Sequence, residues 1–394
     1  MSDTQVDVTE VILRAASRTV ALHGVKRATV GSIATEAGVA RSTVYRTFDS
    51  REEIFAKMIE YEFGRFFAEL YAAVSKFHTL EEVMEHGLMF AHAAVEHHFL
   101  LQAILRDDPS VLEPALSASS QAIEPVIATI FTPYLPTSRH RDEHAAFLAG
   151  LSLSYIATQG RWNFERRRDV RAVVATELLA GVFGPALSFS PASVVPLVAV
   201  TDASLRTQVI DATLAEIESG HYEEISIDRI VRKVSGSRAT IYRLVPGGTT
   251  SLLELCAERE ASRVYAAVVV AMSAESQLHQ GLLAGLTTLW HHLDSHEALR
   301  RVVEVNPEFL LRRLRFNEAA RTFGAASSAV EPLLRRWLPS DQANRVAEWL
   351  IRIVVLYWNS PSELVDVSDP ASVARFYGRH MAPGVEKILA SVTA

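Results

Sequence analysis

Cysteine occurs once in 394 residues, as Cys256, so no disulfide can close within the chain and a reducing compartment is expected. Long apolar runs are lacking as well: Ala266–Met272 is among the longest, far short of the roughly 20 residues that a membrane-spanning helix needs. Met1 to Asp7 have neither the basic nor the apolar region of a secretory signal. The expected location is cytoplasmic, with no membrane partner. Positive charge is not in excess, since 39 Lys and Arg stand against 46 Asp and Glu for a formal net charge of −7. That excludes a body coated in nucleic acid, while a local basic patch remains compatible with it. Catalytic signatures are also missing. There is no G-x-G-x-x-G, Walker A, H-E-x-x-H or G-x-S-x-G motif, and Gly247-Gly248-Thr249-Thr250 lacks the Lys and the spacing of a phosphate loop. Neither enzymatic activity nor a bound cofactor is expected.

Alternating strand patterns are absent too, and what is present reads as helix almost throughout. Hydrophobic residues make up 49% and charged ones 22%, a balance that fits folded globular domains. Apolar residues recur at i, i+3, i+4 and i+7. The spacing predicts a helix over Val8–His23, with a stripe of Ile12, Ala15, Ala16, Thr19 and Val20 that Gly24 ends. Short helices are expected over Val30–Ala37 and Arg41–Phe48, with Gly38 at the turn between them. Ser50-Arg51-Glu52-Glu53 and Thr79-Leu80-Glu81-Glu82 read as capping boxes. The first opens a long helix from Arg51 to about Ser75, and the second a helix to about His97. Pro109, Pro125 and Pro136 break later helices, and a last helix over Arg171–Val182 ends near Gly184-Pro185. The fold class is all-α.

The pattern then returns. Ile33-Ala34 … Ala40-Arg41-Ser42-Thr43-Val44-Tyr45-Arg46 recurs as Ile230-Val231 … Ser237-Arg238-Ala239-Thr240-Ile241-Tyr242-Arg243, a constant 197 residues later. Looser echoes follow, Tyr134-Leu135-Pro136 with Trp337-Leu338-Pro339 among them. A period near 200 marks duplication of a whole domain. The expected organisation is a first domain over residues 1–50, a helical domain over 51–184, a linker over 185–203, a divergent second copy of the first domain over 204–250 and a second copy of the helical domain over 251–394. The linker holds Pro185, Pro191 and Pro196, and its apolar stretch Val194–Val200 is expected to lie along a surface.

Two short helices joined by a tight turn, the second opened by small residues and an Arg, fit a helix-turn-helix. The second helix of such a motif enters the major groove with its N-terminal side chains foremost. Here those are Ala40, Arg41, Ser42 and Thr43. Arg can take guanine O6 and N7 together, and the methyl of Thr can touch that of thymine. Thr29, Tyr45 and Arg46 are placed for backbone contacts, which position the module without reading sequence. The second copy offers Ser237, Arg238, Ala239, Thr240, Tyr242 and Arg243.

Ile33-Ala34 … Ala37-Gly38-Val39 … Ser42-Thr43-Val44-Tyr45-Arg46-Thr47-Phe48, followed by Ser50-Arg51-Glu52-Glu53-Ile54, resembles the TetR family of bacterial transcriptional regulators. The resemblance is strongest over residues 9–65. It implies a three-helix DNA-binding domain, a connecting helix near 51–75 and a helical domain that binds a small effector and a second subunit. The duplication resembles the tandem type found in mycobacteria and related actinobacteria, where lipid-metabolism genes are the described targets. The implied protein is a ligand-responsive regulator, a repressor first of all, that binds a double-stranded DNA operator with unlike half-sites as a single-chain pseudo-dimer.

The second copy departs from the pattern. Ser235-Gly236 stands in place of Gly38-Val39, and Val245-Pro246-Gly247-Gly248 replaces Phe48-Asp49-Ser50-Arg51, which removes an aromatic and a capping box. Two readings of it stay open: a second DNA-reading module, or a dimerisation and sensing partner whose chain must self-associate to bind tightly.

Aromatics gather in the regulatory halves. Phe67, Phe90, Phe147, Tyr155, Trp162, Trp290, Phe309 and Tyr357, with His86, are candidates for an apolar pocket that takes a lipid-like effector. Packing in an ordinary core is the plainer reading of each one taken singly. His92 with Glu96 and His292 with His296 have i, i+4 spacing, but no cysteine supports them, and no metal is expected.

Overall fold

The structure is a computed structural model that describes residues 7–107, 124–157, 159–305, 316–359 and 364–392. Among these residues it is helical, with no β-strand. The chain divides into two compact units, Met1–Leu178 and Leu179–Ala394.

In the first unit α1 spans Val8–His23, capped by Asp7, whose carboxylate accepts from the Thr9 N–H at 2.9 Å. It buries Ile12, Ala15, Ala16, Thr19 and Val20, the stripe expected from the spacing, and it ends at Gly24 with φ of 81°. A 3₁₀ turn over Val25–Arg27 leads to α2, Val30–Ala37. Thr29 and Ser32 cap α2 reciprocally, each hydroxyl accepting from the other residue's N–H. Helix α3 covers Arg41–Thr47, and α4 covers Arg51–Val74 behind Ser50, which accepts from the Glu53 N–H at 3.0 Å. Helices α5 (Leu80–His97) and α6 (Phe99–Asp107) follow. Ile12, Val20, Ile33, Val44, Phe48 and Met58 close one core, onto which α6 lays Leu100 and Ile104. The outer part of the unit holds α7 (residues 124–131), α8 (Arg141–Ala157) and α9 (Arg167–Val173), which runs on through a π-helical turn, Val174–Leu178. The last helix thus begins four residues before the expected Arg171. Arg167 and Arg171 both pair with the buried carboxylate of Glu85 on α5, which draws this turn into the helix.

The second unit opens with α10 (Ala180–Phe183) and an irregular segment over 185–203. This segment lies along the unit, as its apolar content predicts. The Leu187 N–H donates to the Gly378 carbonyl at 2.8 Å, Phe189 packs against Tyr377, and the Val195 carbonyl accepts from His292 Nε2 at 2.7 Å. The order of elements then follows that of the first unit: α11 (Leu205–Glu218), a 3₁₀ turn (Tyr222–Glu224), α12 (Ile227–Val231), α13 (Arg238–Leu244), α14 (Thr249–Ser273), α15 (Leu278–Ser295) and α16 (Glu297–Val305). Beyond these come α17 (Phe316–Leu334), α18 (Ser340–Asn359) and α19 (Pro370–Phe376). The last runs through a π-helical turn, Tyr377–Met381, into α20 (Ala382–Val392).

Burial follows the same register. Val209, Ile217, Ile230, Ile241, Val245 and Leu255 form the core beneath α11–α14, each 197 residues after Ile12, Val20, Ile33, Val44, Phe48 and Met58. Ala298 and Val302 on α16 stand 198 residues after Leu100 and Ile104. Polar contacts recur too. His98 accepts the Leu101 N–H through Nδ1 at 3.3 Å, and its Nε2 lies 3.7 Å from Glu62 on α4. His296 accepts the Leu299 N–H at 3.2 Å, and its Nε2 lies 3.5 Å from Glu260 on α14. The Tyr134 hydroxyl donates to the Phe77 carbonyl between α4 and α5, and the Trp337 indole N–H to the Ser276 carbonyl between α14 and α15.

Candidate nucleic-acid interface

Helix α2 stops because Gly38 takes the left-handed conformation, φ 69° and ψ 27°, which costs a glycine least. Its N–H and that of Val39 return to the Thr35 and Ala34 carbonyls, and Ala40 then leads the chain into α3. Val44 and Phe48 are buried, which fixes the rotation of α3. Ala40, Arg41, Ser42, Tyr45 and Arg46 are consequently exposed, and Thr43 is half-buried. Tyr45 is 59% exposed. Thr29 is exposed at the start of α2, and Lys26 and Arg27 are exposed on the preceding turn. The face thus carries four cations, three hydroxyls and a phenol. Such groups bind phosphates, and Arg41, Ser42 and Thr43 are also of the types that read base edges.

Two supports of this face escaped the sequence reading. Arg51, first residue of α4, donates to the Ala28 carbonyl at 2.8 Å and to the Val25 carbonyl at 2.6 Å, clamping the connecting helix to the turn before α2. Its guanidinium also lies over Phe55 at 4.5 Å. The signal available was an Arg directly after the capping Ser50. The second support is Gly31, whose absent side chain makes room for Arg41; a Cβ there would lie 2.8 Å from Cζ of Arg41. Among the described residues no carboxylate pairs with Arg41.

The second motif has the same burial pattern. Ile241 and Val245 point inward, Ser237, Arg238, Ala239, Tyr242 and Arg243 are exposed, and Thr240 is half-buried. Its details differ. Helix α12 is three residues shorter than α2 and has no left-handed glycine after it. Ser237 caps α13 by accepting the Thr240 N–H at 3.2 Å, whereas Ala40 provides no side-chain cap for α3. Arg238 meets Asp228 at 2.8 Å and lies over the Tyr242 ring at 5.6 Å. Tyr242 and then Asp228 hold the Arg238 guanidinium above its ordinary pKa. Gly248 caps α14 at the position where Arg51 begins α4, so the arginine clamp gives way to a single long contact, the Thr249 hydroxyl donating to the Ile225 carbonyl at 3.5 Å.

Several of the aromatic candidates pack against their own neighbours. Phe67 and Phe90 pack around Phe66, and His86 stacks on Phe77 at 4.0 Å. Phe147 and Tyr155 are buried, with Tyr155 donating to Glu177, and Trp162 is half-buried. Trp290 meets Tyr357 edge-on at 6.5 Å, and Phe309 lies outside the described residues. The first unit does hold an apolar cavity of about 120 Å³ among α4, α5 and α6, lined by Ile59, Phe63, Phe66, Val95, Leu101 and Ile104, with Glu62 and His98 as its polar members. Burial raises the pKa of Glu62, but hydrogen bonds from His98 and Ser17 and the charge of Arg65 outweigh it, so the carboxyl sits below its ordinary value. Among the described residues no cluster of three or more His, Cys, Asp or Glu could hold a metal, and no helix is long and apolar enough to cross a membrane.

A tight helical pair, a buried core that rotates the second helix, and an exposed Arg, Ser, Thr and Tyr face together define a helix-turn-helix DNA-binding domain. Residues 12–58 match the family described as bacterial regulatory proteins, tetR family. This segment of the chain therefore matches the helix-turn-helix domain of that family of regulators. Several solved structures are similar. A TetR-like transcriptional regulator from Rhodococcus sp. RHA1 is 20% identical with a TM-score of 0.32, over 44% of this chain and 96% of that one. The fatty acid degradation regulator FadR from Bacillus halodurans is 18% identical with a TM-score of 0.28, over 42% and 96%. A second transcriptional regulator from Rhodococcus sp. RHA1 is 16% identical with a TM-score of 0.30, over 44% and 96%. No curated protein matches the chain.

Proposed function

We propose that this chain is an effector-responsive transcriptional repressor made of two fused copies of a TetR-type unit, which serve as the two halves of a dimer within one polypeptide. The observation that carries DNA binding is the exposed face of α3, where Arg41, Ser42, Tyr45 and Arg46 stand in solvent while Val44 and Phe48 anchor the helix. Two fused copies are supported by core positions that recur at 197 residues and by the matching His98–Glu62 and His296–Glu260 pairs. Because Ala40-Arg41-Ser42-Thr43 and Ser237-Arg238-Ala239-Thr240 differ, the operator is read asymmetrically and is not a palindrome.

The effector is small, apolar and lipid-like, and genes of lipid metabolism are the expected targets. The cavity among α4, α5 and α6 supports this reading. Ile59, Leu100 and Ile104 belong both to its wall and to the core beneath α3, so an occupant that moved α4 against α6 would disturb the DNA-binding domain. Repression is relieved only if the effector binds the DNA-incompetent state more tightly. In vitro selection of random duplex DNA by the full-length chain, with light scattering of the complex, tests the proposal. An asymmetric motif bound by one chain is expected. A palindrome overturns the asymmetric operator, and failure to enrich any sequence overturns DNA binding.

A further inference from the structure

The two recognition helices match in burial but not in what faces their leading arginine. In the first motif Arg41 lies over Gly31, with no carboxylate paired to it among the described residues. In the second, 197 residues on, Asp228 replaces Gly31, and its two oxygens lie 2.8 and 2.9 Å from Nη2 of Arg238. The preceding turn changes in the same sense, since Lys26-Arg27 becomes Glu223-Glu224. The second motif also gains cations, but Arg229 and Lys233 both bind Glu216 on α11, and Arg229 binds Glu224 as well. Arg232 lies at the opposite end of α12 from its Ser226 cap.

We propose that Asp228 shuts the second helix-turn-helix, so that DNA is read through the first motif alone. This rests on the proposed DNA-binding function and takes its asymmetry to the limit. An exposed ion pair is itself weak and would yield to a phosphate. The barrier is the carboxylate left behind when Arg238 turns outward: it stands at the helix corner that must approach the polyanion, beside a turn that lacks the two cations Lys26 and Arg27 of the first motif. Each phosphate contact contributes through counterion release, and a module that presents carboxylates there gains little from it. The rest of the motif, with its core, its cap and its recognition helix, is retained as a fold.

The test uses the full-length chain and the duplexes enriched by in vitro selection with wild type, titrated by fluorescence anisotropy over a range of salt. Arg41→Ala is expected to weaken binding about ten- to hundredfold, and Arg238→Ala by less than about twofold. Asp228→Asn, which removes the charge at an exposed position, is expected to tighten binding several-fold and to steepen the salt dependence by about one phosphate. If Arg238→Ala loses as much as Arg41→Ala, or if Asp228→Asn changes nothing, the proposal is overturned while DNA binding by the first motif stands. If Arg41→Ala has no effect, it is the proposed function that fails.

Discussion

In the first helix-turn-helix an arginine lies over a glycine; in the second its counterpart is held by an aspartate. Beneath both, burial recurs at a spacing of 197 residues: Ile33 and Ile230, Val44 and Ile241, Met58 and Leu255 are all buried. The comparison separates two kinds of constraint. Core positions are tied to one another by close packing, and a residue that leaves the register opens a void or a clash. The face is tied only to its partner, and once that partner is lost or changed the charges there can drift without harming the fold.

The largest effect that would break this picture is in the core. Ile33→Ala and Ile230→Ala are each expected to cost about 2–5 kcal/mol in chemical denaturation, because both side chains are fully buried. A cost near zero for Ile230→Ala would mean that the second core does not support its unit. Next comes the paired carboxylate on each connecting helix. Burial raises the pKa of Glu260, but His296, Arg263 and Arg259 outweigh it and hold the carboxyl at about 2. A pKa lowered on folding stabilises above the unfolded value and loses that stabilisation as pH falls. Glu260→Gln is therefore expected to cost about 2–3 kcal/mol at neutral pH, a gap that closes as pH drops from about 4.5 towards 2. Glu62→Gln should follow the same sign, and a gap that widens in acid would refute the pairing. The smallest effect lies at the recognition-helix caps. Ser237→Ala is expected to lose about 1 kcal/mol, and Ala40→Ser to gain up to that amount, both measured by thermal unfolding.

Much of this architecture is legible in the sequence wherever local chemistry decides it. Helices α1 and α2 have the bounds that their stripe, Gly24 and Gly38 imply, and α3 ends one residue before the expected Phe48. Less legible is whatever depends on contacts between elements. The pairing of Arg167 and Arg171 with Glu85 extends α9 backward past the expected Arg171, and that partner lies 82 residues or more away in sequence. A π-helical turn is one wider hydrogen-bonded turn inside a helix, so neither Val174–Leu178 nor Tyr377–Met381 is announced by a start or stop residue. Counting aromatics could not choose between Phe66 and Phe67, which are adjacent on α4, and only Phe66 lines the cavity. Asp228 was visible in principle, since the 197-residue register sets it against Gly31. Its meaning depends on Arg238 reaching across from the next helix.

The matched cores have a consequence for how the chain acquires its fold. Adjacent domains of like topology are prone to exchange segments during synthesis, each copy capturing a helix that belongs to its neighbour. Here the positions match while the volumes do not: Phe48 in one copy answers to Val245 in the other, and Leu100 to Ala298. A recognition helix captured by the wrong copy would force a phenyl ring into a valine's place, at about 1–3 kcal/mol for the excess volume, and the reverse exchange would leave a void. A helix seated in the other unit's core would thus meet the wrong volume, which disfavours exchange between the two.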